Sequence, residues 1–236
     1  YNNLTDFFFN AVVAPVTLYL DRLYTPPRPF DLGFSTQDGN IVKTVNGDTL
    51  YNNFGIHMES QLQLSANESP GYYQLALVAD TGGRLKITDA SGVEKIIIDS
   101  EAKNKISDDD DDNDGLNESE ENEHEAKVIC AAEPVYLDHN SKIPMTVEYY
   151  HGSSHHISLM AMWRPWPEAS KHSEKDEDSE RKDFCHRSLH SLFKYSSTAP
   201  ALPKTSFYEA LALNWKVLEN ENYNFPEQSL NPCVPV

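Results

Sequence analysis

The sharpest chemical spacing in the chain lies in Asp110-Asp111-Asp112-Asn113-Asp114-Gly115-Leu116-Asn117-Glu118-Ser119-Glu120-Glu121. The stretch fits D-x-[DN]-x-[DN]-G-x5-E. Asp110, Asp112, Asp114, Glu118 and Glu121 therefore fall where a calcium loop sets its oxygen ligands, and Gly115 falls at its sharp turn. Calcium takes about six to eight oxygens, several of them carboxylate, so the residue types suit the ion as well as the spacing does. Against this, no amphipathic helix is legible on either side, and Asn117 stands at the eighth position, where such loops carry an apolar residue. Two readings stand: a loop ordered by calcium, and a solvated, disordered insert whose like charges repel.

Histidine, serine and cysteine offer other chemistry. His151, His155 and His156 cluster around a Gly-containing loop, and His186 and His190 lie four apart after Cys185. A His-x3-His pair can hold zinc on a helix face, but no HExxH carboxylate accompanies this one, and ordinary surface histidines are the simpler reading. Ser153 and Ser154 stand near His155 without a GxSxG elbow, and there is no GxGxxG or Walker motif. Nothing in the sequence is a positive sign of an enzyme. Cys130, Cys185 and Cys233 match no CxxC spacing and allow one disulfide with a thiol left over. Cys130 and Cys185 each follow a charged segment, which favours a bridge between them; three reduced, buried thiols are the alternative.

Those charged segments hold most of the acidity. Across 236 residues the net charge is −18, yet Glu101 to Ala126 carries 12 acidic and 2 basic residues, and Glu168 to Asp183 carries 7 and 4. What remains is mildly acidic, with enough apolar residues for one globular domain spanning 1–236, interrupted by an acidic insert at 101–126 and a charged loop at 168–183. No basic stripe suits nucleic acid. No apolar run approaches the ~18 residues of a membrane span: Phe7 to Leu20 is broken by Asn10, Pro15 and Thr17. Tyr1-Asn2-Asn3 is no charged leader region, so the chain reads as mature or trimmed.

Period-two alternation must position whatever chemistry there is. Tyr72 to Ala79 is apolar in both phases, predicting a strand buried on both faces. Leu85-Lys86-Ile87-Thr88 and Ile96-Ile97-Ile98, joined through Asp89-Ala90-Ser91-Gly92, predict a hairpin. Pro144 to Tyr150 and His156 to Trp163 predict a second hairpin around His151 to His155. Shorter strands are expected at Val16–Leu20, Phe30–Phe34, Ile41–Val45, Asn53–Met58 and Gln61–Leu64, with a turn at Asn46-Gly47-Asp48. One helix is expected over Ser206–Leu218, capped by Thr205 or Ser206, with Phe207, Leu211 and Trp215 on one face. The expectation is an all-β fold, an antiparallel sandwich or barrel with a minor C-terminal helix.

From Pro70 to Pro165 the order of features is distinctive: Pro70-Gly71-Tyr72-Tyr73-Gln74-Leu75-Ala76-Leu77, Ala79-Asp80-Thr81-Gly82-Gly83-Arg84-Leu85, Ile143-Pro144-Met145-Thr146-Val147-Glu148-Tyr149-Tyr150-His151-Gly152, and Ile157 to Trp163. This resembles the PA-fourteen domain, a β-sandwich module of adhesins, toxins and glycosidases. The resemblance implies a non-catalytic, lectin-like module of a secreted or cell-surface adhesin, attached within a larger surface protein and binding glycans, with calcium as cofactor. In glycan-binding members two adjacent aspartates in an Asp-Asp-Gly turn hold the calcium. Here the turn reads Asp80-Thr81-Gly82, so one charged ligand is replaced by a hydroxyl. Asp80, Thr81, Gly82, Gly83 and Arg84 are thereby the first candidate ligand residues, with Asp80 also a candidate metal ligand. The plainer alternatives are that Asp80 caps its own turn and that Gly82-Gly83 supplies positive φ. Trp166, just beyond a strand end in Trp163-Arg164-Pro165-Trp166-Pro167, is either an aromatic platform for a sugar or a cap over the sandwich edge. The rival expectation from another class is a structural or assembly module without sugar binding.

Overall fold

The computed structural model describes residues 4–11, 19–35, 40–44, 46–100, 126–152, 154–166, 184–185 and 187–226. Two antiparallel sheets face each other, as alternation and turn spacing predict. The first runs β1 (Tyr24–Pro29), β9 (His156–Pro165), β3 (Gly71–Ala79) and β6 (Lys127–Cys130), with β7 (Val135–Leu137) also on β3 and β12 (Lys216–Val217) also on β9. The second runs β13 (Tyr223–Asn224), β2 (Phe54–Leu62), β8 (Ile143–His151), β4 (Gly82–Thr88) and β5 (Glu94–Asp99). Between them Leu75, Leu77, Leu159, Ala161 and Trp163 meet Leu62, Leu85, Ile98, Val147 and Tyr149 in one buried cluster. Each inward residue is the alternate one along its strand, which is why a period of two makes a two-layer core.

The apolar second phase of β3 and β9 has its own partner. Ala76, Val78, Met160 and Met162 point away from the sandwich core and are covered by Phe184, Leu189, Leu192, Phe193, Phe207 and Trp215. This covering layer contains α2 (Leu189–Leu192), the short ladder of β10 (Phe193–Lys194) and β11 (Leu202–Pro203), and α3 (Thr205–Ala212). The Cys130–Cys185 disulfide ties β6 to the layer's start. Within the described residues, β3 is buried on both faces from Tyr73 to Ala79, but Tyr72 lies past the layer's edge and is exposed.

Several elements differ from expectation for identifiable reasons. The α3 helix stops at Ala212 because Asn214 takes a left-handed φ of 67°; Asn214 N–H then donates to the Leu211 carbonyl and Trp215 N–H to Ala210, a Schellman stop. Trp215 is thus in the covering layer, beyond the helix. Neither Thr205 nor Ser206 caps α3: Lys204 holds that position and makes no side-chain cap. β8 and β9 do not pair as a hairpin, because they belong to different sheets, and residues 151–155 carry the chain across the sandwich. The doubly apolar β9 suits the sheet covered on both sides. The Pro-rich β1 was not foreseen; prolines are tolerated there because it is an edge strand whose register shifts between Thr25 and Arg28. Phe30–Leu32 forms a 3-10 turn, the described residues between Ser35 and Thr49 make isolated bridges with Val45 outside them, and β2 merges two expected strands. Tyr19 and Leu20 form no strand, and Val16 to Leu18 lie outside the described residues.

The 85–98 hairpin is as predicted. Its turn is held by Asp89, whose carboxylate accepts from Ser91 N–H at 2.9 Å and Val93 N–H at 3.1 Å and pairs with Lys95. The Lys95 ammonium, with those donors, keeps Asp89 well below the usual carboxylate range. α1 (Leu4–Asn10) lies against β8, Phe7 meeting the Tyr150 ring at 4.6 Å. Among the described residues no helix is long and apolar enough to cross a membrane.

Candidate functional site

The chain crosses between sheets twice at one end of the sandwich, through Asp80-Thr81 and through residues 152–155. Asp80 sits between these crossings, 4% exposed. Its Oδ1 accepts from the Tyr149 hydroxyl at 2.5 Å and the Ser158 N–H at 2.9 Å; its Oδ2 accepts from the Thr81 hydroxyl at 2.8 Å and from His151 Nδ1–H at 2.7 Å. Four donors occupy one carboxylate and join both sheets. Burial first, then the Asp80 charge and hydrogen bond, raise the Tyr149 phenol well above its ordinary value. Tyr195, ringed by His156 and His190 at 4.3 Å each, is raised by burial and then by the same charge.

His151 was expected on the surface with its neighbours; it is fully buried, faces Phe54 at 5.5 Å, and its Nε2 has no hydrogen-bond partner among the described residues. His155 and His190 are exposed and His156 half-buried, while Ser153, His186 and Cys233 lie outside the described residues. The signal for His151 was present: it continues the inward phase of Met145, Val147 and Tyr149.

The other turn candidates part company. Gly82 and Gly83 are buried in β4, and the glycines of the described residues with positive φ are Gly33, Gly47 and Gly92, so the expected left-handed turn is not what selects them. Close approach selects Gly83, since a Cβ there would stand 2.5 Å from Leu77 Cδ2. Arg84 points to the outer face of the second sheet. Its guanidinium reaches Asp99 at 3.1 Å, Glu148 at 3.5 Å and the Thr5 hydroxyl at 3.1 Å, and Lys86 shares Glu148 at 2.7 Å. Asp80 and Arg84 therefore serve separate networks.

Trp166 lies at the other end of β3, roughly 25 Å from Asp80 at ~3.3 Å per residue. There the register forms a row across three strands. Tyr72 pairs directly with Tyr136 on β7, their rings 5.2 Å apart and edge to face at 65°, and Trp166 N–H donates to the Tyr72 carbonyl at 2.7 Å on the other side. Tyr72 and Tyr136 share the face of Gln74 and Arg164, and Trp166 follows the last residue of β9. Tyr72 is 57% exposed, Tyr136 51%, and Trp166 half-buried. One pair inward, Arg164 Nε donates to Gln74 Oε1 at 2.9 Å while its guanidinium lies 4.7 Å from the Trp215 ring centre; Gln74 Nε2 donates to the Ala131 carbonyl at 3.1 Å. Amide, guanidinium and indole thus brace the sheet beneath the row. Trp166 stood out from its sequence position, whereas Tyr72 and Tyr136 did not, although the outward phase of Tyr136 between Val135 and Leu137 was legible.

Asp110, Asp112, Asp114, Glu118 and Glu121 lie outside the described residues. Among the described residues no group of three or more His, Cys, Asp or Glu is placed to hold a metal ion. Set against known protein families, curated proteins and solved structures, the chain matches none of them.

Proposed function

We propose that this chain is a non-catalytic carbohydrate-recognition module of the PA-fourteen type, secreted or displayed at a cell surface as part of a larger adhesin. The observation that carries the reading is the exposed aromatic pair of Tyr72 and Tyr136, beside which Trp166 is held by its backbone hydrogen bond to Tyr72. Sugar rings present apolar C–H faces, and rigid aromatic side chains bind them at low entropic cost. The non-catalytic part rests on the Asp80–His151 pair: it has the partners of a catalytic dyad, but both side chains are sealed in the sandwich. The Cys130–Cys185 bridge supports an oxidising compartment.

Calcium keeps a place in the proposal through the 110–121 spacing, because both Asp80 oxygens are already engaged. Millimolar calcium is expected to raise the melting temperature by linkage, and Asp112→Ala to abolish the rise; no rise in the wild type removes calcium from the reading. A glycan array with and without chelator tests the recognition claim, and binding to no glycan in either condition overturns it.

An assembly role is favoured by one observation: Leu202, Tyr208, Leu211 and Leu213 are exposed on the covering layer. A stable oligomer by sedimentation, with no response to sugars, would establish it.

A further inference from the structure

The Asn46-Gly47-Asp48 turn carries a chemistry of its own. Asn46-Gly47 is the one Asn-Gly step in the sequence, and it stands exposed between Lys43 and Thr49, which pair as an isolated bridge. Such a step sets an electrophile beside a nucleophile, because the asparagine side-chain carbonyl carbon and the next backbone nitrogen can close a five-membered ring. A Cβ on the second residue crowds that closure, and glycine has none. Here nothing lies within 4 Å of the place a Gly47 Cβ would take, and Gly47 holds a φ of 88°. The Asn46 side chain is exposed and makes no hydrogen bond among the described residues.

The turn restrains the nucleophile. Gly47 N–H donates to the Thr44 carbonyl at 2.9 Å, Thr44 N–H to the Asp48 carbonyl at 2.7 Å, and Asp48 N–H to Thr44 Oγ1 at 3.2 Å. These bonds face solvent and are flanked by an isolated bridge instead of a sheet ladder, so they open locally without disturbing the sandwich.

We propose that Asn46 is a modification site at which the chain deamidates itself, with the Gly47 backbone nitrogen as nucleophile and water as the only other reactant. The Gly47 nitrogen gives its proton to hydroxide and attacks Asn46 Cγ; the new C–N bond forms, the bond to the amide nitrogen breaks, and ammonia leaves with a proton from water. Water then opens the cyclic imide. Addition at Cγ yields aspartate, and addition at the Asn46 backbone carbonyl yields isoaspartate, whose peptide link runs through the side chain. Nothing is oxidised or reduced. Isoaspartate lengthens the backbone by one carbon, so the Gly47 bond to Thr44 no longer closes, and a new carboxylate stands beside Asp48. The stretch this loosens is core-bound on both sides: Val42 N–H donates to Phe34 and Leu50 N–H to Val42, with Phe34 and Val42 buried.

The site is independent of the carbohydrate reading and stands or falls without it. The full chain is held at physiological temperature over a series of rising pH, beside a synthetic peptide of residues 41–50 that sets the unrestrained rate. Peptide mapping and labelled methyl transfer by an isoaspartyl methyltransferase read the products. Conversion is expected at Asn46 first, a few-fold slower than in the peptide, rising in proportion to hydroxide, and reaching the peptide's rate in denaturant. Ion exchange should resolve the product as a more acidic form. Asn46→Gln should abolish the methyl label and the acidic form while leaving the melting curve in place, because the Asn46 side chain holds no neighbour. Asn46 still intact when the peptide is fully converted, another asparagine converting faster, or label persisting in Asn46→Gln each overturns the assignment.

Discussion

The two ends of β3 are built on opposite terms. At the Asp80 end, a carboxylate, an imidazole, a phenol, a hydroxyl and a backbone N–H converge, and nearly every polar atom is spent on another protein atom. At the Tyr72 end, the side chains carry less evident chemistry, but about half the surface of each tyrosine faces water. Reactive residue types do not by themselves mark a recognition surface. A saturated buried carboxylate holds two sheets in register, while an exposed ring on a rigid sheet has contact area to give.

That contrast can be broken by substitution, starting where the effect is largest. Asp80→Ala removes the acceptor of four donors and leaves Tyr149, His151 and the Ser158 N–H without it; the expected loss is about 3–5 kcal/mol, a fall of roughly 10 °C in melting temperature. Retention of wild-type stability would mean that the Asp80 network holds nothing together. Gly83→Ala forces a methyl against Leu77 and should cost about 1–3 kcal/mol in chemical denaturation.

A smaller effect concerns alkaline pH. Tyr149 and Tyr195 are both raised in the folded chain, so each stays protonated after its unfolded counterpart begins to ionise near pH ~10. Their contribution is complete below that pH and declines as pH climbs toward the folded values, each adding a slope of up to about 1.4 kcal/mol per pH unit. Tyr149→Phe should flatten the fall in melting temperature above pH ~10 by one tyrosine's share; an unchanged slope would remove Tyr149 from the linkage. The smallest expected effect is at the other end: Tyr72→Ala should alter stability by no more than about 0.5 kcal/mol, because its ring supports no buried neighbour.

The architecture was legible where alternation was long. Tyr72 to Ala79 and Ile157 to Trp163 read as doubly apolar strands, and the covering layer explains both phases. Sheet membership was not legible: nothing local in 151–155 distinguishes a hairpin from a crossing, since the outcome depends on which distant strand, β3 or β2, each arm meets. Short strands such as β7 and β12 escaped notice because two or three residues carry no period. The turn motif identified Asp80 as special, but its neighbours could be weighed only once Tyr149, His151 and Ser158 were seen on its oxygens. Trp166 was visible as an aromatic past a strand end; its partnership with Tyr136 needed the register of β3 with β7.

The most direct test of the contrast is amide chemical-shift mapping of the wild-type chain with a glycan that the array shows it to bind. The account predicts shifts confined to residues 71–74, 135–138 and 163–166, with residues 79–84 and 148–152 unmoved. Shifts centred on Asp80 to Arg84, with the Tyr72 end silent, would contradict it.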